Sequence, residues 1–199
     1  MIRIARLLPL CLVFLAAAGD APQFAPSRDV TVTYRTAHGP IPQTPAKVVV
    51  RQTARGTKIR TDDYVFLDVD MPYEGAIVDH DAHQVISLVY SRRVAVESPM
   101  PQAAMPGLTL TPELTYQRGT DDKILGFACT NWDVTQPVGG AVKEARQWKV
   151  CVTPDGVTLR YVVNGIEWVA TSVVFATLPP TVFVPPADMQ RLTVTLPAQ

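Results

Sequence analysis

A rhythm of two constrains this chain more than any other feature. From Asp29 onward, Val30, Val32 and Tyr34 alternate with Thr31, Thr33 and Arg35, the pattern of a strand with one buried face. Runs at 48–51, 57–60, 64–70, 75–79, 84–90 and 93–97 follow at short spacing. Val, Ile, Thr and Tyr dominate them, as pleated, half-buried segments require. No apolar stripe at helical spacing survives more than two turns. A single short helical turn is expected at 187–191, after Pro185-Pro186. Pro101, Pro106 and Pro112 predict a loop or lid-like crossing over 100–112 rather than a central strand. Neither an internal repeat nor a linker divides the chain.

The C-terminal half allows a sharper reading. Asp155-Gly156 and Asn164-Gly165 are dipeptides favoured in type I′ turns, whose two central residues need positive φ. They predict a three-strand meander over 145–153, 157–163 and 166–176. Upstream, Gly139-Gly140 sits midway between Cys129 and Cys151. A hairpin folded there sets the two cysteines opposite each other at a distance a disulfide accepts. The same register pairs Trp132 with Trp148, Thr130 with Val150 and Ala128 with Val152. Asn131 then meets Lys149 and Asp133 meets Gln147, so one face is dry and the cysteine face wet. A bridge Cys129–Cys151 would clamp the outer side while both indoles face inward. The cysteines lack the C-x-x-C spacing of redox catalysts.

The N-terminus reads as an export signal. Arg3 and Arg6 precede an uncharged stretch that ends in Ala16-Ala17-Ala18-Gly19, and this matches a secretory signal peptide. The apolar stretch falls short of the roughly 20 residues of a membrane span. Cleavage after Ala18 fits best, with Gly19 or Ala21 as neighbouring sites and an uncleaved anchor as the alternative. The division expected is a signal peptide over 1–18, a flexible N-terminal segment over 19–28 and a single β domain over 29–199. Cys11 leaves with the peptide, and no transmembrane span is expected in the mature chain. An isolated cysteine pair in an oxidising compartment is further reason to expect the bridge.

Charge and motifs exclude several functions. With 18 Lys+Arg against 18 Asp+Glu, there is no basic excess for a nucleic-acid partner. No G-x-S-x-G elbow and no phosphate-binding glycine loop occur. His38 precedes Gly39-Pro40 and reads as a turn residue. The run Asp79-His80-Asp81-Ala82-His83 holds two His and two Asp, yet it reads as a polar hairpin loop without metal-ligand spacing. Asp62-Asp63 and Asp121-Asp122, beside Lys58, Arg60 and Lys123, read as solvated strand ends. The expectation is a protein that is not an enzyme, with no cofactor, no catalytic residues and no metal.

The most specific segment is Ile124, Gly126, Phe127, Cys129, Trp132 and Val134 leading into Val150-Cys151-Val152-Thr153, Asp155-Gly156-Val157 and Leu159-Arg160. Together with Ile59-Arg60 and the strand at 75–79, it resembles a family of uncharacterised secreted bacterial proteins. These are similar in architecture to the Lol-type lipoprotein carriers, periplasmic proteins whose half-open β-barrel shelters acyl chains against a helical lid. The resemblance implies an all-β fold, an antiparallel, incompletely closed barrel or strongly curved sheet, in a periplasmic protein. It also implies a lipid or acylated ligand. A curved sheet with too little helix to cover it leaves an apolar groove on its concave side. Tyr34, Phe66, Trp132, Trp148 and Trp168 are the groove residues expected, and ordinary core is the other reading of the same aromatics. The alternative function is an interaction module of the cell envelope, meeting a partner protein through a sheet edge or the Pro-rich loop.

Overall fold

A computed structural model describes residues 21–36, 48–64, 71–100, 114–136, 146–163 and 165–194. The signal peptide expected over 1–18, Phe66, the hairpin apex expected at Gly139-Gly140, Asn164 and most of the Pro-rich loop lie outside the described residues. Apart from the run at 64–70, of which 65–70 lie outside the described residues, the alternating runs form strands β1 (Val30–Thr36), β2 (Val48–Ala54), β3 (Lys58–Tyr64), β4 (Glu74–Asp79), β5 (Gln84–Val89) and β6 (Val94–Pro99). They continue as β7 (Thr115–Ile124), β8 (Phe127–Gln136), β9 (Arg146–Val152), β10 (Thr158–Val163), β11 (Ile166–Phe175) and β12 (Gln190–Thr193). Among the described residues there are two 3-10 turns, Tyr90–Arg92 and Pro180–Phe183, and no α-helix.

All twelve strands make one sheet, ordered β12-β6-β5-β4-β3-β2-β1-β11-β10-β9-β8-β7. Two meanders, β1 to β6 and β7 to β11, meet where β1 pairs β11. The end strands β7 and β12 do not pair with each other, so the sheet is an incompletely closed, all-β architecture, as the alternation predicts. It is antiparallel except at one edge, where β12 lies parallel to β6. The short turn expected at 187–191 forms only in its first part, where Met189 N–H donates to Pro186 O at 3.1 Å. Gln190 instead begins a strand, because its N–H donates to Arg93 O at 2.8 Å and opens a ladder along β6.

The Cys129–Cys151 disulfide forms, with Cα atoms 5.4 Å apart. The hairpin register differs from the expected one by two. Asn131 opposes Cys151, Trp132 opposes Val150, and Val134 opposes Trp148. The cysteines are therefore diagonal neighbours and the two indoles do not face each other directly. An offset of two leaves each side chain on its expected face, so both Trp share one face and both Cys the other. The cysteine face is wet only in part. Asp133 and Lys149 are exposed and paired at 3.5 Å, but Cys129 and Cys151 are 2% and 0% exposed and pack with Val157 and Leu159.

The turns show a second difference. Asp155-Gly156 is not a type I′ turn. Thr153 O accepts from Gly156 N–H at 3.0 Å, and among these residues only Gly156 has positive φ, at 90°. Pro154 fixes its own φ near −65°, which imposes a type I turn followed by a left-handed glycine. Turns with two successive positive φ occur instead at Arg55-Gly56, where Thr57 N–H donates to Ala54 O at 3.0 Å, and at Leu125-Gly126, between β7 and β8.

Asp62 is not the solvated strand end expected, whereas Asp121 and Asp122 keep their side chains open to solvent. Asp62 is 6% exposed. Its carboxylate accepts from Arg60 Nε at 2.7 Å and from the Tyr90 hydroxyl. Arg60 also donates to Tyr90 Oη at 2.8 Å and to Val182 O at 2.9 Å. This network fastens the 3-10 turn Pro180–Phe183 to β3, while Phe183 and Met189 pack on Ile77, Ile86, Leu88, Tyr90 and Ala95. The segment joining β11 to β12 thereby covers one face of β3–β6. Asp121 and Asp122 sit within β7, where Asp122 pairs with Arg160 at 2.7 Å and Asp121 with Arg118 at 2.9 Å.

Candidate functional site

The uncovered inward face holds a cavity of about 290 Å³. Val30, Val32 and Tyr34 of β1, Arg51 and Thr53 of β2, and Ile59 of β3 line it from one side; Val134 of β8 and Trp148 of β9 line it from the other. Register explains why these residues share a face. Val32 opposes Arg51, Val30 opposes Thr53, Thr53 opposes Ile59, and Val134 opposes Trp148. β3 and β8 stand six strands apart in the sheet, roughly 29 Å if it were flat. That both border one small space requires the sheet to curl.

Residues 21–28 precede β1 and cross the rim of this cavity. Phe24, Ala25 and Pro26 line it, and Phe24 packs on Tyr116 at 5.7 Å between ring centroids. Ser27 N–H donates to Asp155 O at 3.2 Å, and Arg28 pairs with Asp155 at 3.3 Å. Ala25 reaches both the β2–β3 turn and the β9–β10 turn. A Cβ on Gly56 would lie 2.6 Å from Ala25 Cβ, and one on Gly156 would lie 2.5 Å from Ala25 O. Glycine at both turns, each with positive φ, is what admits the crossing segment.

Two polar groups in this mainly apolar lining stand out. Trp148 is 5% exposed and its indole N–H has no acceptor, a condition that costs about 1–3 kcal/mol. Arg51 is half-buried, and its guanidinium takes part in none of the side-chain hydrogen bonds or ion pairs among the described residues. Tyr34, by contrast, donates its hydroxyl to Thr158 O at 2.7 Å, and burial pushes its pKa up despite the nearby Arg51 charge. Among the described residues no carboxylate lines the cavity.

Of the groove residues expected from sequence, Tyr34 and Trp148 line the cavity. Trp132 shares their face but packs with Val134, Val150 and Val152. Trp168 stacks on Tyr161 at 5.8 Å, and Tyr161 meets Tyr34 edge-on at 5.2 Å, an aromatic cluster beside the cavity. Phe66 lies outside the described residues. His80 borders the space from the β4–β5 turn, whose Asp79 carboxylate accepts from the N–H groups of Asp81 and Ala82 and pairs with Lys58 at 2.9 Å. That turn is the polar hairpin loop the sequence predicts. Sequence reasoning missed Arg51, Val134, Val157 and Phe24. For Arg51 a signal existed: it alternates with Val49 and Thr53, so its parity on β2 points inward.

No family model matches the sequence, and no curated protein matches it. Solved structures are similar in fold. An uncharacterized conserved protein from Thermus thermophilus superposes at TM-score 0.54 and 11% identity, over 84% of this chain and 91% of that one. Looser matches include MucB in the Pseudomonas aeruginosa MucA/MucB complex, at TM-score 0.44 and 9% identity over 83% of this chain. This chain spans 58% of that one. A LolA superfamily protein, NE2245 from Nitrosomonas europaea, matches at TM-score 0.37 and 10% identity, over 80% of this chain and 91% of that one. The likeness to the Thermus thermophilus protein is one of fold alone.

Proposed function

We propose that this is an exported, periplasmic, non-enzymatic protein that binds a lipid or other apolar ligand within its half-open sheet. The observation that carries the reading is the cavity itself. Val30, Val32, Ile59, Val134 and Val157 wall a space on the inward face, with Tyr34, Arg51 and Thr53 as polar members of the lining. Binding sites of this kind are mostly apolar with a few placed polar groups. Among the described residues the lining holds one imidazole, His80, the hydroxyls of Thr53 and Thr158, and no carboxylate, serine or cysteine. The sheet edges support the envelope-module alternative less well. β12 has only four residues, and β7 carries Arg118, Asp121, Asp122 and Lys123 together with a register irregularity, features that discourage pairing with another chain.

Titration with the neutral fluorophore N-phenyl-1-naphthylamine tests the reading. Saturable enhancement at one site per chain, reversed by decanol, is expected. An absent signal, or one that neither saturates nor responds to decanol, overturns it.

A further inference from the structure

Three arginines among the described residues are half-buried: Arg51, Arg60 and Arg160. Two of them are fully engaged. Arg60 is held by Asp62 at 2.7 Å, and Arg160 by Asp122 at 2.7 Å and Asn131 Oδ1 at 2.8 Å. Arg51 differs. It sits in the middle of β2, opposite Val32 on one side and Thr61 on the other, and its side chain borders the cavity among Val30, Val32, Tyr34 and Ile59. No described residue supplies its guanidinium with a hydrogen bond or an ion pair.

A guanidinium sheltered by apolar walls is poorly solvated and gains from an anion more than an exposed one does. Its planar fork fits a carboxylate or phosphate with two parallel hydrogen bonds. Asp63, on the same face of β3, lies diagonally from Arg51, but among the described residues no acid lines the cavity. The guanidinium therefore meets the cavity without an oxyanion in its wall.

We infer that the ligand is an anionic amphiphile, an apolar body ending in a carboxylate or phosphate, and that Arg51 binds its head. This rests on the cavity reading above and narrows it to a ligand class. The shared chemistry is an oxyanion on a hydrocarbon chain, whether from a free fatty acid or from a phosphorylated lipid.

The test is competition against bound N-phenyl-1-naphthylamine by decanol, decanoate and decyl phosphate, chains of equal length with different heads, at a pH where both acids are ionised. At least one anion should displace the probe at about tenfold lower concentration than decanol, as a charge-assisted pair implies. The tighter of the two identifies the source. Arg51→Met should lose this preference while decanol displacement stays within about twofold. Arg51→Lys should keep part of the preference, since the charge remains and the fork is lost. If decanol and both anions compete equally on the unaltered protein, the inference is overturned and the apolar cavity stands. If the probe itself does not bind, both fall. An anion preference that survives intact in Arg51→Met also overturns the role given to Arg51.

Discussion

Asp62→Ala is the substitution on which sequence and structure disagree most. Read from sequence, Asp62 is a solvated strand end, and its loss should cost no more than a surface charge, about 0–1 kcal/mol. In the fold it is 6% exposed and accepts from both Arg60 and the Tyr90 hydroxyl. Its removal leaves a guanidinium whose side chain is 16% exposed without a counter-charge, and a buried phenol without an acceptor. Breaking a buried pair by deleting one member costs about 3–5 kcal/mol. The lower end applies here, because Arg60 keeps its bonds to Val182 O and Tyr90 Oη. The expected loss is therefore about 3 kcal/mol, or roughly 6–12 °C in Tm for a domain of this size. Tyr90→Phe removes two hydrogen bonds to charged partners, one to Asp62 and one from Arg60, and should cost about 2–3 kcal/mol. Asp133→Ala, which breaks the exposed pair with Lys149, is the control and should cost less than about 0.5 kcal/mol. Urea unfolding of the three variants, with equal m-values, gives the comparison. Should Asp62→Ala and Asp133→Ala lose the same stability, the buried network contributes nothing and the argument is wrong.

Two further expectations concern the bridge and the crossing segment. Closing the loop between Cys129 and Cys151, 22 residues apart, stabilises the chain by about 3 kcal/mol in the chain-entropy model; reduced protein that unfolds at the same urea concentration as oxidised protein would count against it. The Asp155 carboxyl is held below its ordinary value of 3.8, first by the Thr153 hydroxyl at 2.6 Å and, against the opposing effect of burial, also by Arg28. A lowered folded-state pKa means the folded form binds fewer protons, so this stabilisation is complete above the ordinary value and fades as the pH falls below it. Unfolding free energies measured from about pH 6 to about pH 2 should fall less steeply for Asp155→Asn than for the unaltered protein; parallel curves would refute the assignment.

Some of what sequence reasoning missed was legible. Pro154 rules out positive φ at the first position of any turn centred on it, so the type I turn before Gly156 could have been read from Thr153-Pro154-Asp155-Gly156. Arg51 could have been marked by its parity with Val49 and Thr53. Asp62 could not. Its burial comes from Tyr90 and from a segment around Val182 that lies far along the chain, and no local pattern announces such a neighbour.

The sequence by itself determined most of the strands (though not β7 or β12), the face each side chain takes along the Cys129–Cys151 hairpin and the pairing of the cysteines. Each follows from a period of two and from a few turn residues, interactions that reach only a short way along the backbone. Tertiary structure alone decided how far the sheet curls, which of its inward aromatics border open space and which pack against each other. It also set the crossing of residues 21–28 over Gly56 and Gly156, and the parallel seat of β12 beside β6. Those outcomes depend on which distant surfaces meet once the meanders join at β1 and β11, and contact between distant segments is set by packing of the whole rather than by the preference of any part.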